Sequence, residues 1–326
     1  MKIPISQVES TFRDLLTASN ASHEDIETII SILMEQALYN NKFSPFSSAT
    51  IENINKHLRE SKDIQEKIVV DRPSIKLIDA QGKFALLVGM KMAGMVSEMA
   101  KTQGIGMVGM YNSTYHDMMS VYSRHIAEHN LIGIVCANGG PAGVVPFGGL
   151  EPIFGTNPIS YAIPTQTTPI VFDGATAQYA YGTIHLAKAQ KKKLEDFVYV
   201  DKKGAFTTDP EKAIGLIPFG GYKGYAINLL LEVLTGIFVR AKSGLAVQNE
   251  KDLGSLFIAI DPTVFGDIDE FKKQATQLVN DILKSPSRDS KSPVRIPGKQ
   301  SEEYKQKIIK DEFFEIDDAV WKEFAE

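Results

Sequence analysis

Three short stretches hold more glycine than a helix or strand tolerates: VVPFGGLEPIFGTNP at 144–158, VFDGATAQYAYG at 171–182 and LIPFGGYKG at 216–224. Inside a regular element a glycine costs roughly 0.5–1 kcal/mol against alanine. A chain that places so many together needs backbone at positive φ, or needs another group to come close. Gly224 stands just inside a long apolar helix with Lys223 beside it. Free N–H groups, the positive helix end and a cation make that corner a candidate anion site. DGAT, read as lying before a helix over Ala177–Lys193, is a second candidate phosphate cradle. Turns and tight packing explain the same glycines. No G-x-G-x-x-G stands between a strand and a helix, so the Rossmann fingerprint is absent.

The rest of the chain reads as mixed α/β. Val8, Phe12, Leu15 and Leu16 recur at helical spacing, and Ser22 starts a second helix carrying Ile26, Ile29, Ile30, Leu33, Met34 and Ala37. Ser48 is expected to cap a short helix with Ile51, Ile54 and Leu58. SIKLID and KFALLV flank a turn at AQG, and a Met-rich helix then runs to Gly104, a C′ glycine. GIGMVGMY, LIGIVCAN, PISYAIP, PIVFD and LFIAIDP read as strands, and VYV-DKKG-AFT as a hairpin. KSPSRDSKSP, 284–293, reads as a linker. The expected organisation is a helical domain built from residues 1–72 with 290–326, and an α/β body over 73–289 with a candidate subdivision near 125.

Composition narrows the class. With 43% hydrophobic and 23% charged residues, the 326-residue chain is globular. A net charge of −5 disfavours nucleic acid as a partner. A single cysteine, Cys136, rules out an internal disulfide and suits a reducing compartment. MKIPISQVEST lacks the apolar core of a signal peptide. The longest apolar stretch, AINLLLEVLTGIFV at 226–239, is interrupted by Asn228 and Glu232 and is too short to span a bilayer. It reads as a buried helix, and the protein as cytoplasmic, with no membrane partner.

Four blocks taken in order carry a resemblance: GTNP, the D-x-A-T step, GG-x-KG and an R-x-PG close in PVRIPGK. Together they resemble the type-2 malate/L-lactate dehydrogenase family, from about residue 5 to the C-terminus. The resemblance implies a non-Rossmann NAD(P)-binding α/β fold with a mostly antiparallel sheet. It also implies a homodimer with its active site near the interface, and hydride transfer between NAD or NADP and a small oxo, hydroxy or imino compound. It implies cofactor contacts at Asp173, Gly174, Ala175 and Thr176, at Lys223 and Gly224, and at Arg295, Pro297 and Gly298. Asn138 to Gly140 lie where a family serine meets the cofactor.

The chemical residues depart from the pattern. The family's A-D-x-R-G-x-x-S-H-G-x-x-R falls on Ala37 to Ala49, so its histidine position is Pro45 and its arginine positions are Asn40 and Ala49. A bidentate cation clamp is the usual way to hold a small carboxylate. Its loss points away from malate and lactate, towards a larger, less acidic or imine-bearing substrate. The second family histidine lies in N-S-x-H-F. Asn112 and Ser113 keep the first letters, so the position falls on Tyr115, and a slip of one residue restores His116. A phenol donates a proton to a developing anion but is a poor base near neutrality. Asp201, in FVYVD, is a third acid candidate and also begins a DKKG turn. His185 reads as a surface residue. His125 and His129 share a helix without a third ligand, so no metal site is expected. The reading from a different class is a non-catalytic nucleotide-binding or regulatory homologue, and a third is a subunit completed by a partner chain.

Overall fold

A computed structural model describes residues 1–39, 45–289 and 292–325. In chain order the strands are β1 (Lys2–Pro4), β2 (Lys67–Arg72), β3 (Ile75–Asp79), β4 (Ile105–Ser113), β5 (Ile132–Ala137), β6 (Ile159–Ile163), β7 (Ile170–Gly174), β8 (Tyr199–Val200), β9 (Gly215–Leu216), β10 (Leu253–Ile260) and β11 (Phe313–Glu315). The helices are α1 (Ile5–Thr17), α2 (His23–Leu38), α3 (Ser48–Ser61), α4 (Ala85–Gln103), α5 (Ser120–Glu128), α6 (Gly182–Gln190), α7 (Tyr222–Glu232), α8 (Ile268–Leu283), α9 (Lys299–Asp311) and α10 (Asp318–Ala325).

Seven strands form one sheet in the order β2-β3-β4-β10-β5-β6-β7. Only β3 and β4 run parallel, because the chain crosses between them through α4, as a parallel pair requires. Every other neighbour is antiparallel. β10 fills the centre: Phe257 stands opposite Val108 on one side and Val135 on the other. α4 and α5 cover one face, and Val88, Met92, Val96, Tyr122 and Ile126 bury there against Val108, Val135 and Phe257. Gly104, at φ 79, ends α4 as its spacing predicts.

Both chain ends share a second core. β1 pairs with β11, with Ile3 opposite Phe314. Phe12, Leu16, Ile29, Leu33 and Leu58 pack there with Phe314, Trp321 and Phe324. Ser22 caps α2 by accepting from the Asp25 N–H at 3.1 Å.

Several expectations need correction. Lys67–Arg72, on the N-terminal side of the boundary drawn at 72, is an edge strand of the sheet. ALLV of KFALLV is the first turn of α4, where Thr114 Oγ1 accepts from the Ala85 N–H at 3.0 Å. Ser48 is the first residue of α3 instead of its cap, and its hydroxyl donates to the Glu323 carbonyl. The helix expected over 177–193 is only Gly182–Gln190.

The largest reversal is α7. It was expected to be buried, yet its inward face carries Asn228 and Glu232, while Leu230, Ile237 and Phe238 are 55%, 65% and 53% exposed. After Glu232 the helix widens into a π-turn over Val233–Ile237. No helix among the described residues is long and apolar enough to cross a membrane.

Candidate active site

A cleft of about 350 Å³ opens where β4 and β5 end. Its wall includes Tyr115, His116, Asp117, Glu250 and the loop Asn138–Gly140. The backbone takes positive φ at Asn112 (52°), near the end of β4, and again at Asp117 (54°), on either side of Tyr115 and His116.

His116 goes inward. It is 3% exposed, its ring lies 5.4 Å from both Tyr122 and Phe257, and neither ring nitrogen has a hydrogen-bond partner. Burial drives its pKa down to about 3, so the ring is neutral at ordinary pH. A Cβ on Gly89 would come 3.0 Å from His116 Nδ1, so that glycine makes room for the ring. Tyr115 is half-buried at the cleft. Its hydroxyl accepts from Asn53 Nδ2, and its ring meets His57 at 5.7 Å and Phe84 at 6.5 Å. Burial, then the Asp117 and Glu250 carboxylates, hold the phenol above its ordinary pKa.

The sequence reading missed His57 and Glu250. His57 stacks on Phe84 at 4.9 Å and is 2% exposed. Its Nε2 lies 3.5 Å from Glu250 Oε2, and burial lowers its pKa. One signal was available: His57 stands three residues after Ile54 and beside Leu58, on the apolar face of α3. Glu250 sits in the loop QNEKD, which carries no motif. Asp117 Oδ2 accepts from Gln36 Nε2 at 2.9 Å.

The opposite wall is a polar lattice under bare backbone. Asn157, fully buried at φ 37, donates from Nδ2 to Asn228 Oδ1 at 2.9 Å and Glu232 Oε2 at 2.6 Å. Its Oδ1 accepts from the Gly139 N–H at 3.0 Å. Glu232 Oε1 accepts from Asn138 Nδ2 at 3.3 Å and the Gly244 N–H at 2.6 Å. Thr176 donates its hydroxyl to the Thr156 and Asn157 carbonyls at 2.9 and 3.0 Å. GTNP is thus the floor that holds the 138–140 loop. A Cβ on Gly139 would sit 2.4 Å from Asn157 N, whereas Gly140, at φ 99, would have nothing within 4 Å. Gly140 therefore presents uncovered backbone to the cleft, a surface that a flat ring or a phosphate can approach closely, and the site fits a nicotinamide cofactor in this respect.

The other expected cofactor residues are spread out. Asp173 is the last residue but one of β7, and its Oδ2 accepts from the Ser120 N–H at 2.7 Å, capping α5. Burial of the carboxyl pushes its pKa up to about 6. Gly174 and Ala175 follow, half-buried, and α6 begins only at Gly182, so DGAT does not open directly into a helix. Lys223 is exposed in the first turn of α7. Gly224 is demanded by packing, since a Cβ would fall 1.8 Å from the Phe219 carbonyl oxygen. Arg295 lines a separate cleft with Lys299, its Nη1 donating to Gln300 Oε1 at 3.2 Å. Pro297 O accepts from the Val171 N–H at 3.3 Å, and Gly298, at φ 81, caps α9.

Asp201 is not brought to the cleft wall. Its Oδ1 accepts from the Lys203 and Ala205 N–H groups at 2.8 and 3.0 Å, which fixes the DKKG turn. Of the family's two arginine positions, Asn40 lies outside the described residues and Ala49 is exposed; the histidine position, Pro45, is buried. His185 is exposed against Tyr181. His129 Nδ1 lies 2.8 Å from the His125 carbonyl oxygen. Among the described residues no three His, Cys, Asp or Glu side chains form a metal-holding group.

Residues 3–325 match the family model described as malate/L-lactate dehydrogenase. The chain is 37% identical to malate/(S)-sulfolactate dehydrogenase of Methanothermus fervidus, over 71% of this chain and 69% of that protein. It is 31% identical to ureidoglycolate dehydrogenase (NAD(+)) of Escherichia coli strain K12, over 75% of this chain and 71% of that one. The solved sulfolactate dehydrogenase of Methanocaldococcus jannaschii superposes with a TM-score of 0.87 at 30% identity, covering 99% of this chain and 95% of the other. The fold thus has its counterpart in a solved protein, and the chain belongs to the malate/L-lactate dehydrogenase family.

Proposed function

We propose that this protein is an NAD(P)-dependent reductase in which Tyr115 faces the reacting centre. The supporting observation is that one cleft holds the Tyr115 side chain and the bare backbone of the Asn138–Gly140 loop. The cofactor, NAD or NADP, would be held by that loop together with the segments of Asp173, Gly174, Ala175 and Thr176, of Lys223 and Gly224, and of Arg295, Pro297 and Gly298. When bound it supplies or accepts a hydride.

The protein's own groups favour reduction. Oxidation of a hydroxyl needs a base, yet the Tyr115 phenol is held protonated and burial makes the His116 imidazole a weak base. Tyr115 instead donates a hydrogen bond or a proton to the substrate's oxygen or nitrogen. A keto or imino compound fits this arrangement, and malate or lactate fits it poorly. His116 and Asp201 then have structural roles. The protein is proposed to be a homodimer, since Leu230, Ile237 and Phe238 leave an apolar face uncovered. Buried, unpaired Cys136, its thiol pushed up to about 12, suits a reducing compartment, and we place the protein in the cytoplasm. The two-part organisation belongs to the same proposal, with the inner boundary moved ahead of Lys67.

Titration with NADH and with NADPH, followed by nicotinamide fluorescence, tests the reading. Saturable binding of either one is expected, and failure of both at millimolar concentration removes it.

A further inference from the structure

We infer that the substrate of this cleft carries a positive charge and no essential carboxylate, the class being a protonated imine, cyclic or open-chain. The inference rests on the reductase reading above and adds the charge of the substrate to it.

The cleft wall holds two carboxylates, Asp117 and Glu250, and no lysine or arginine among its described residues. Both carboxylates act on the Tyr115 phenol, so both lie near the point where that hydroxyl would meet a substrate. Lys56 Nζ stands 3.6 Å from Glu250 Oε1 but is half exposed at the rim. His57 faces Glu250 from inside with its Nε2 unpartnered at 3.5 Å, and burial favours its neutral form. Among the described residues Asp117 accepts from the neutral Gln36 amide, and burial raises its pKa, so a cation beside it is what would hold it ionised. Asp173 adds another carboxyl near Asp117. An oxo or hydroxy diacid entering here would meet like charge at short range in a partly dry site, where such contacts matter most. An iminium would meet opposite charge.

The chemistry closes without a protein proton. A hydride adds to the iminium carbon, the C=N π pair returns to nitrogen, and the product is the neutral amine carrying the proton the nitrogen brought. Tyr115 need then only orient the nitrogen, which accords with a phenol held above its ordinary pKa.

The test measures equilibrium binding and needs no turnover. The full-length protein, with and without NADH, is titrated by calorimetry with pyrrolidinium, a carboxylate-free cation, and with malonate, a dianion. Pyrrolidinium should bind and malonate should not. Glu250→Gln and Asp117→Asn should each weaken pyrrolidinium about tenfold or more, as loss of a charge-assisted contact does, while NADH affinity stays within about twofold. Circular dichroism of each variant separates misfolding from loss of charge. Tighter binding of malonate, absence of pyrrolidinium binding, or folded variants that bind it like the parent would each overturn the inference. Loss of NADH binding with the cation preference intact would instead overturn the nicotinamide reading alone.

Discussion

His116→Phe should make the protein more resistant to acid and leave its chemistry intact. In the folded chain burial holds the imidazole pKa at about 3, against 6.5 for the free side chain. The unfolded state therefore binds the extra proton first. Stability from this group is fully present above pH 6.5 and is lost as pH falls towards 3. At pH 5 the unfolded chain gains RT ln(1 + 10^1.5), about 2 kcal/mol, and the folded chain gains almost nothing. The full loss below pH 3 is about 5 kcal/mol.

Phenylalanine cannot take up the proton. It also removes two buried nitrogens that have no partner, each of which costs about 1–3 kcal/mol when left unsatisfied. The larger ring crowds Tyr122 and Phe257, which offsets part of that gain. The packing terms cancel when two pH values are compared within one protein, so the difference between pH 7.5 and pH 5 is the quantity to measure. Urea unfolding at both should show the variant losing about 2 kcal/mol less than the parent. Equal losses in the two proteins would mean that His116 is not held neutral in the core. A variant that folds but no longer reduces any substrate the parent reduces would mean that His116, and not Tyr115, faces the reacting centre.

Tyr115→Phe should lower turnover by about 10²–10⁴ if the phenol supplies a proton to a ketone, and by less for a preformed iminium; NADH affinity, read by fluorescence, should stay unchanged in either case. Glu35 has its pKa raised to about 7 by burial, Arg124 opposing, so its contribution is present below pH 4.5 and is lost as pH rises through 7. Glu35→Gln should therefore gain up to about 3 kcal/mol over the parent at pH 8 and little at pH 4.5 in urea melts; a gain independent of pH would contradict this. Gly224→Ala drives a methyl group into the Phe219 carbonyl and should cost about 3 kcal/mol, visible as a drop of several degrees in Tm. Light scattering should give twice 35.9 kDa at micromolar concentration, and Ile237→Asp, exposed in the π-turn that follows α7, should shift the mass towards the monomer.

Helical periodicity was legible wherever one face meets a core. Val8, Phe12 and Leu16 are all buried, as their spacing required. GTNP and GG-x-KG were legible as places where side chains are excluded, and Gly155, where a Cβ would sit 2.7 Å from the Gly140 carbonyl oxygen, and Gly224 bear that out, but the sequence did not say what approaches them. At Gly224 it is the chain's own carbonyl. The α7 segment misled because hydrophobicity was counted without its direction: the two residues that interrupt the run, Asn228 and Glu232, are the ones facing in. The cleft was half legible. Counting from Asn112 and Ser113 put Tyr115 ahead of His116, and in the structure both line the cleft, the imidazole more deeply buried than the phenol. Glu250 was invisible, because a loop carboxylate acquires meaning only when distant segments bring Tyr115, His57 and Asp117 around it.

One helix carries two burdens on opposite sides. Through Glu232, α7 braces Asn138 in the loop of the candidate cofactor site, and through Leu230 it offers an apolar strip to a second subunit. If the proposed dimer forms through that strip, whatever steadies one side steadies the other, so association and cofactor uptake would be linked equilibria, each strengthening the other by the same factor. Dilution would then be a variable of the chemistry: at low protein concentration the loop would lose its brace as subunits part, and the apparent cofactor dissociation constant would climb with it. Saturating cofactor would hold the dimer together at dilutions where the bare protein falls apart.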